Sequence, residues 1–195
     1  MPRAFYEPSA EIVAPRLLGH WLVRRTESGL TGGLIVETEA YLADDPACHA
    51  FKRETARNRA MYGPPGHAYV YFIYGNHWCF NAVCRPAGVA EAVLVRAMES
   101  GLGIEWMRAR RATERAVELT NGPAKLCQAL AIDRSIDTMD LCGAASAVFI
   151  GENPGRPSLL EQLGPVVTTT RIGITKAVDR RLRYYLEGSA HVSKR

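Results

Sequence analysis

The run from His67 to Cys84, HAYVYFIYGNHWCFNAVC, limits what this chain can fold into more than any other stretch. It is crowded with aromatic and β-branched side chains, which suit a pleated, half-buried surface. Gly75-Asn76 interrupts it in the middle, which predicts a β-hairpin over the whole run. The tip then carries Tyr74, Asn76 and His77. An aromatic ring at a tight turn wants an explanation, because turns normally take small polar residues. The run commits the chain to antiparallel sheet.

The neighbouring segments supply the rest. Trp21 to Arg25 and Leu34 to Tyr41 read as strands joined through Glu27-Ser28-Gly29 into a hairpin. Ala92 to Met98, Ala147 to Ile150 and Thr168 to Ile174 read as further strands, while Leu182 to Leu186 is too short to assign between strand and helix. Ser9 is the N-cap candidate of a first helix, with Ile12, Val13, Leu17 and Leu18 as its buried stripe and Pro15 awkward inside it. Gly103 to Thr113 reads as helix. So does Asn121 to Leu130, N-capped with a proline near its start, where free N–H groups suit an anion. Ala56 to Tyr62 reads as a helical turn, Ala43 to Thr55 as an irregular loop, and the residues before Pro165 as a Pro/Gly-rich connection. Strands with segregated helices predict one α+β domain, residues 1–195, with a mostly antiparallel β core.

Composition excludes several classes. No apolar run approaches the ~18 residues of a membrane span. The first residues, MPRAFYE, have no signal-peptide shape, which predicts a cytoplasmic protein. The five cysteines contain no C-x-x-C pair, and the five histidines no H-E-x-x-H. No glycine-rich phosphate loop is present. Neither a metal nor a cofactor is expected. The net charge of +4 is a modest basic bias. It gathers at Lys52, Arg53, Arg57 and Arg59, at Arg108, Arg111 and Arg115 on one helical face, and along Arg171, Lys176, Arg180, Arg181, Arg183, Lys194 and Arg195. Such clusters suit a phosphate track, or simply a solvated face.

The chemistry concentrates at Val36-Glu37-Thr38-Glu39-Ala40-Tyr41. On a strand, side chains two apart share a face, so Glu37, Glu39 and Tyr41 stand together. A carboxylate there can activate water, and the ring can stack on a flat substrate. The bland alternative is an edge strand with a solvated acidic face. Glu37 is expected to be structural, Tyr69, Trp78 and Phe80 to be core, and His20 and His67 to be ordinary.

Long motifs in order carry a family resemblance over nearly the whole chain. They are V-E-T-E-A-Y-L at 36–42, R-N-R-x-M-Y at 57–62, Y-V-Y-F-I-Y-G at 69–75, G-P-A-K-L-C-Q-A-L at 122–130 and T-R-I-G-I at 170–174. The chain resembles the alkyladenine (3-methyladenine, methylpurine) DNA glycosylases. The resemblance implies a curved β core and a protruding hairpin that inserts into DNA. It implies that Glu39 activates the attacking water, with Arg96 and the Ile172 carbonyl holding that water. Tyr41 would stack on one face of a flipped-out base, with His49 and Tyr71 on the other. Asn81 would crowd the 2-amino group of guanine. Tyr74 would wedge into the duplex, and Asn76, His77 and Lys125 would contact DNA.

The resemblance also implies double-stranded DNA with damaged purines as the partner. The substrates would be 3-methyladenine, 7-methylguanine, hypoxanthine or ethenoadenine, cut by a monomer that works in the cytoplasm or on the nucleoid. No lysine lies beside Glu39 in sequence, so a monofunctional enzyme leaving an abasic site is expected. A damaged-DNA-binding module without activity and a hydrolase of free nucleosides are the alternatives. The basic clusters count against the latter, because a free nucleoside offers no phosphate track.

Overall fold

The computed structural model describes residues 1–27 and 29–194. Ser28, in the expected first turn, and Arg195, in the last basic cluster, lie outside the described residues. Among the described residues eight strands form one antiparallel sheet: β1 (Trp21–Thr26), β2 (Gly29–Tyr41), β3 (Ala68–Ile73), β4 (His77–Cys84), β5 (Glu91–Leu102), β6 (Val148–Gly151), β7 (Val166–Thr169) and β8 (Arg183–Leu186). The order is β3-β4-β5-β2-β1-β6, and β7 and β8 form a side branch attached to β2. The helices are α1 (Ala10–Leu17), α2 (Ile104–Arg111), α3 (Pro123–Ala129) and α4 (Arg156–Leu163).

β2 is the hub. Its first half pairs with β1, residues 37–39 pair with β8, and nearly its whole length pairs with β5. Register shifts between Gly32 and Gly33 and on both sides of Glu37 bend it, since a bulge adds twist and curls the sheet. The close crossing needs glycine: a Cβ on Gly33 would stand 2.2 Å from the Glu99 carbonyl oxygen.

The period of two sorts the sheet into two faces. Val70, Phe80, Ala82, Val93 and Val95 point into the main core with α1, α3 and the strands beyond β2. Their neighbours Tyr69, Tyr71, Cys79, Val83 and Leu94 point the other way, into a second cluster with Cys48 and Ala50 from the 43–55 loop and Ala60 and Met61 from the helical turn Arg59–Tyr62. On β2, Thr38 faces the helix layer and donates to the Ala14 carbonyl at 2.9 Å. The two glutamates beside it meet Arg96 of β5, which lies between the core residues Val95 and Ala97.

Several expectations need correction. β2 is interior, with Glu37 and Glu39 at 0 % exposure, so the solvated acidic edge does not exist. Ile12 is 47 % exposed while Val13, Leu17 and Leu18 are buried, because the short α1 turns its stripe away from that position. The Pro/Gly-rich connection contains α4, which starts on Arg156-Pro157 and is pinned by Arg156 Nε donating to the Leu18 carbonyl at 2.7 Å. Asn121 does not cap α3: Gly122 occupies the cap position, and Asn121 Oδ1 instead accepts from Lys125 Nζ at 2.8 Å. Trp78 is only half-buried and pairs with the exposed ring of Phe72, centroids 4.7 Å apart.

The arginine clusters change meaning too. Arg171 and Arg183 are buried ion-pair partners. Arg108, Arg111 and Arg115 engage Glu114, Gln128 and Glu118 and do not form a free basic stripe.

Candidate active site

A cavity of about 290 Å³ opens on the second face of the sheet. Its walls include Tyr41, His49, Tyr71, Asn81, Arg96 and Ile172, which come from β2, β3, β4, β5, the 43–55 loop and the segment after β7. Tyr74 and His77 of the hairpin line it as well. The sequence therefore named eight residues that the fold brings together here. Asn76 and Lys125 are not among the lining residues; Lys125 is tied to Asn121, although its neighbours Pro123 and Ala124 reach the cavity.

Glu39 lies just beneath the lining, fully buried. Its Oε1 accepts from the Ile172 N–H at 2.8 Å and lies 3.2 Å from Arg96 Nη1. Its Oε2 accepts from Tyr41 Oη at 2.9 Å. Burial, and then the neighbouring Glu39 charge, hold the Tyr41 phenol well above its ordinary pKa, so it stays a donor. Arg96 is nine-tenths buried or more by surface, and the Glu39 and Glu37 carboxylates outweigh the cost of burying its charge.

The expected strand over 168–174 ends at Thr169, and the next residues serve the site instead. Arg171 forms a buried ion pair with Asp45, with Nη2 donating to Oδ1 at 3.0 Å, and its Cζ stands 4.7 Å over the Tyr41 ring. The Ile172 N–H goes to Glu39, and Gly173 takes φ +75, a conformation natural to glycine. These commitments leave no ladder for β7 to continue.

Elsewhere in the lining, the His49 ring meets Tyr71 edge-on, centroids 4.6 Å apart, and its Nδ1 lies 2.8 Å from Tyr69 Oη. His49 presents an edge to solvent, yet desolvation against these rings, and then the Arg57 charge, lower its pKa. Tyr69, expected as core, is 1 % exposed and also fixes this imidazole. Asn81 is 3 % exposed and donates Nδ2–H to the Tyr69 carbonyl at 2.9 Å.

Sequence reasoning missed Asp45 and Arg171 as supports of Tyr41. The signal was an arginine inside T-R-I-G-I, but its partner lies far away in the chain. Among the described residues no helix is long and apolar enough to cross a membrane, and no cluster of His, Cys, Asp or Glu could hold a metal ion.

Residues 4–190 match the Methylpurine-DNA glycosylase (MPG) family. The chain is 50 % identical to a protein of Methanoculleus marisnigri over all of its own length and 99 % of that protein's. It is 48 % identical to one of Carboxydothermus hydrogenoformans with the same coverage. It is also 48 % identical to one of Rhizobium meliloti, over 98 % of this chain and 95 % of the relative. Each of these relatives is named "Putative 3-methyladenine DNA glycosylase". This chain belongs to the methylpurine-DNA glycosylase family, the N-glycosyl hydrolases that act on DNA in the repair of alkylation damage.

Proposed function

We propose that the cavity receives one damaged purine extruded from duplex DNA, and that Glu39 activates the water that displaces it from the deoxyribose C1′. The observation that carries this reading is a buried carboxylate, held by Arg96, Ile172 N–H and Tyr41 Oη, directly under an aromatic cavity of base size. A carboxylate oxygen has two acceptor sites. Oε2 spends one on Tyr41, and its second is the site from which water would be polarised.

Tyr41 supplies one stacking wall, Tyr71 and His49 the other. Stacking is worth roughly 1–3 kcal/mol per base, which offsets much of the cost of extrusion. A purine alkylated at N3 or N7 is cationic, leaves readily and is drawn to electron-rich rings. Charge develops on the sugar as the bond breaks, and the Glu39 carboxylate stabilises it from a desolvated position. Asn81, clamped to the Tyr69 carbonyl, is a rigid feature against which the extra amino group of guanine would collide. Tyr74 is the wedge that fills the gap in the duplex, beside Asn76 and His77. Asn76 is not among the residues that line the cavity, which suits a contact with DNA outside it. Lys125, bonded to Asn121 and close in sequence to the cavity-lining Pro123 and Ala124, would meet a phosphate. The protein would act as a monomer in the compartment that holds the DNA, on 3-methyladenine, 7-methylguanine, hypoxanthine or ethenoadenine.

The test is single-turnover base release from methylated DNA and from a duplex with one hypoxanthine, comparing wild type with Glu39→Gln. Wild type releases base, and Glu39→Gln binds equally well but is slower by about 10²–10⁴-fold, the usual contribution of a general base. Tight binding without release by either protein would instead make this a damage-recognition module.

A further inference from the structure

The segment after β8 folds back under the pocket and reaches the buried charges. The Ser193 N–H donates to Glu37 Oε2 at 2.7 Å, and its Oγ donates to Glu37 Oε1 at 3.0 Å. The same Oγ accepts from Arg96 Nη2 at 3.2 Å. Arg183 Nη1 ties the arrangement together, donating to Glu37 Oε1 at 2.9 Å and to the Lys194 carbonyl at 2.8 Å. Every nitrogen of the Arg96 guanidinium thus has an assignment. Nε donates to Glu37 at 3.1 Å, Nη2 donates to Ser193, and Nη1 is left to face Glu39 at 3.2 Å.

A guanidinium is a rigid plane. Holding Nε and Nη2 along one edge fixes where Nη1 points. A hydroxyl suits the corner between carboxylate and guanidinium, because it gives a proton to one and accepts from the other without adding charge. Glu37 alone holds the Nε corner of that edge; Ser193 secures the second corner.

We propose that Ser193 is a positioning residue for base release: its hydroxyl, held between Glu37 and Arg96, sets the guanidinium plane that aims Nη1 at Glu39. The proposal rests on the role given to Glu39 above. It makes a segment distant in sequence from every motif of the pocket part of the catalytic apparatus, acting through Arg96 without touching the substrate.

The test compares wild type, Ser193→Ala, Ser193→Thr and Glu39→Gln in single-turnover release from methylated duplex DNA, with binding affinity and melting temperature measured on each. Alanine keeps the backbone N–H bond to Glu37 and removes only the hydroxyl. The expected result is a release rate about tenfold lower in Ser193→Ala, as for loss of one charge-assisted hydrogen bond. Affinity and melting temperature stay close to wild type, and Ser193→Thr restores the rate. Wild-type release by Ser193→Ala overturns the proposal. So does a loss that follows a matching drop in melting temperature or affinity and that threonine does not restore. Undiminished release by Glu39→Gln would instead overturn the catalytic reading itself, whatever Ser193 does.

Discussion

At the floor of the pocket, Glu37, Glu39 and Arg96 are nearly or wholly buried and bonded to one another; at the tip of the β3–β4 hairpin, Tyr74 stands 79 % exposed at φ +55. Both regions come from continuous β-strands, and both carry residues singled out in the sequence. The floor places charges in a low-dielectric interior, where each interaction is strong and each unpaired group is costly. Its geometry is therefore settled before any substrate arrives. The tip keeps a large ring in water, in a backbone conformation that a non-glycine residue adopts at some cost. The contrast teaches that, under the proposed function, chemistry and recognition are separable: changes to the buried ion pairs are expected to alter stability and the rate of release, and changes at the tip to alter binding to duplex.

The largest effect that would test this division is Asp45→Ala. It leaves Arg171 buried without its carboxylate and removes the support behind Tyr41. We expect a loss of about 3–5 kcal/mol, the usual result of breaking a buried pair, read by denaturant unfolding. A loss below 1 kcal/mol would mean that the floor is not held by its ion pairs. Next comes Tyr74→Ala, expected to weaken binding to lesion-bearing duplex by about 1–3 kcal/mol while leaving melting temperature and single-stranded binding nearly unchanged. Equal losses on duplex and single strand would remove the wedge and blur the distinction.

Smaller still is Asn81→Ser, which should raise release of normal guanine severalfold with little change for methylated adenine. Unchanged guanine release would take Asn81 out of selectivity. The smallest effect is the pH response of His49. Its folded pKa lies below the ordinary value near 6.5, because of desolvation and then Arg57. The unfolded chain therefore binds the proton more readily, so stability from neutral His49 is complete above about pH 6.5 and is lost as pH falls through the lower folded value. Lowered pKa values at His20 and His191 act in the same direction. His49→Gln should flatten part of the acid-side fall in melting temperature, and an unaltered curve would assign the fall to the other histidines.

Much of the molecule was legible in the residues. The His67–Cys84 hairpin and the strands through Trp21 and Tyr41 follow from local pattern, and the family resemblance named Tyr41, His49, Tyr71, Asn81, Arg96 and Ile172, which the fold places around one cavity. Strand alternation alone separates Tyr71 and Asn81 from Val70 and Ala82, since the period of two leaves little choice once one face is apolar.

Other features are not local. Arg156, at the start of α4, finds its partner in the distant Leu18 carbonyl. The Thr168–Ile174 run has strand propensity, yet its last residues leave the ladder because Glu39 and Asp45 take their donors. Sequence by itself determined which faces the strands present, because periodicity and turn chemistry act over a few residues, while the side chains that share a pocket were legible only through the family resemblance. Only the tertiary structure decided which charges are buried and what they pair with. Glu37, Arg183 and Ser193 meet only after β8 and the segment behind it return to β2, and desolvation has meaning only once that surface is closed.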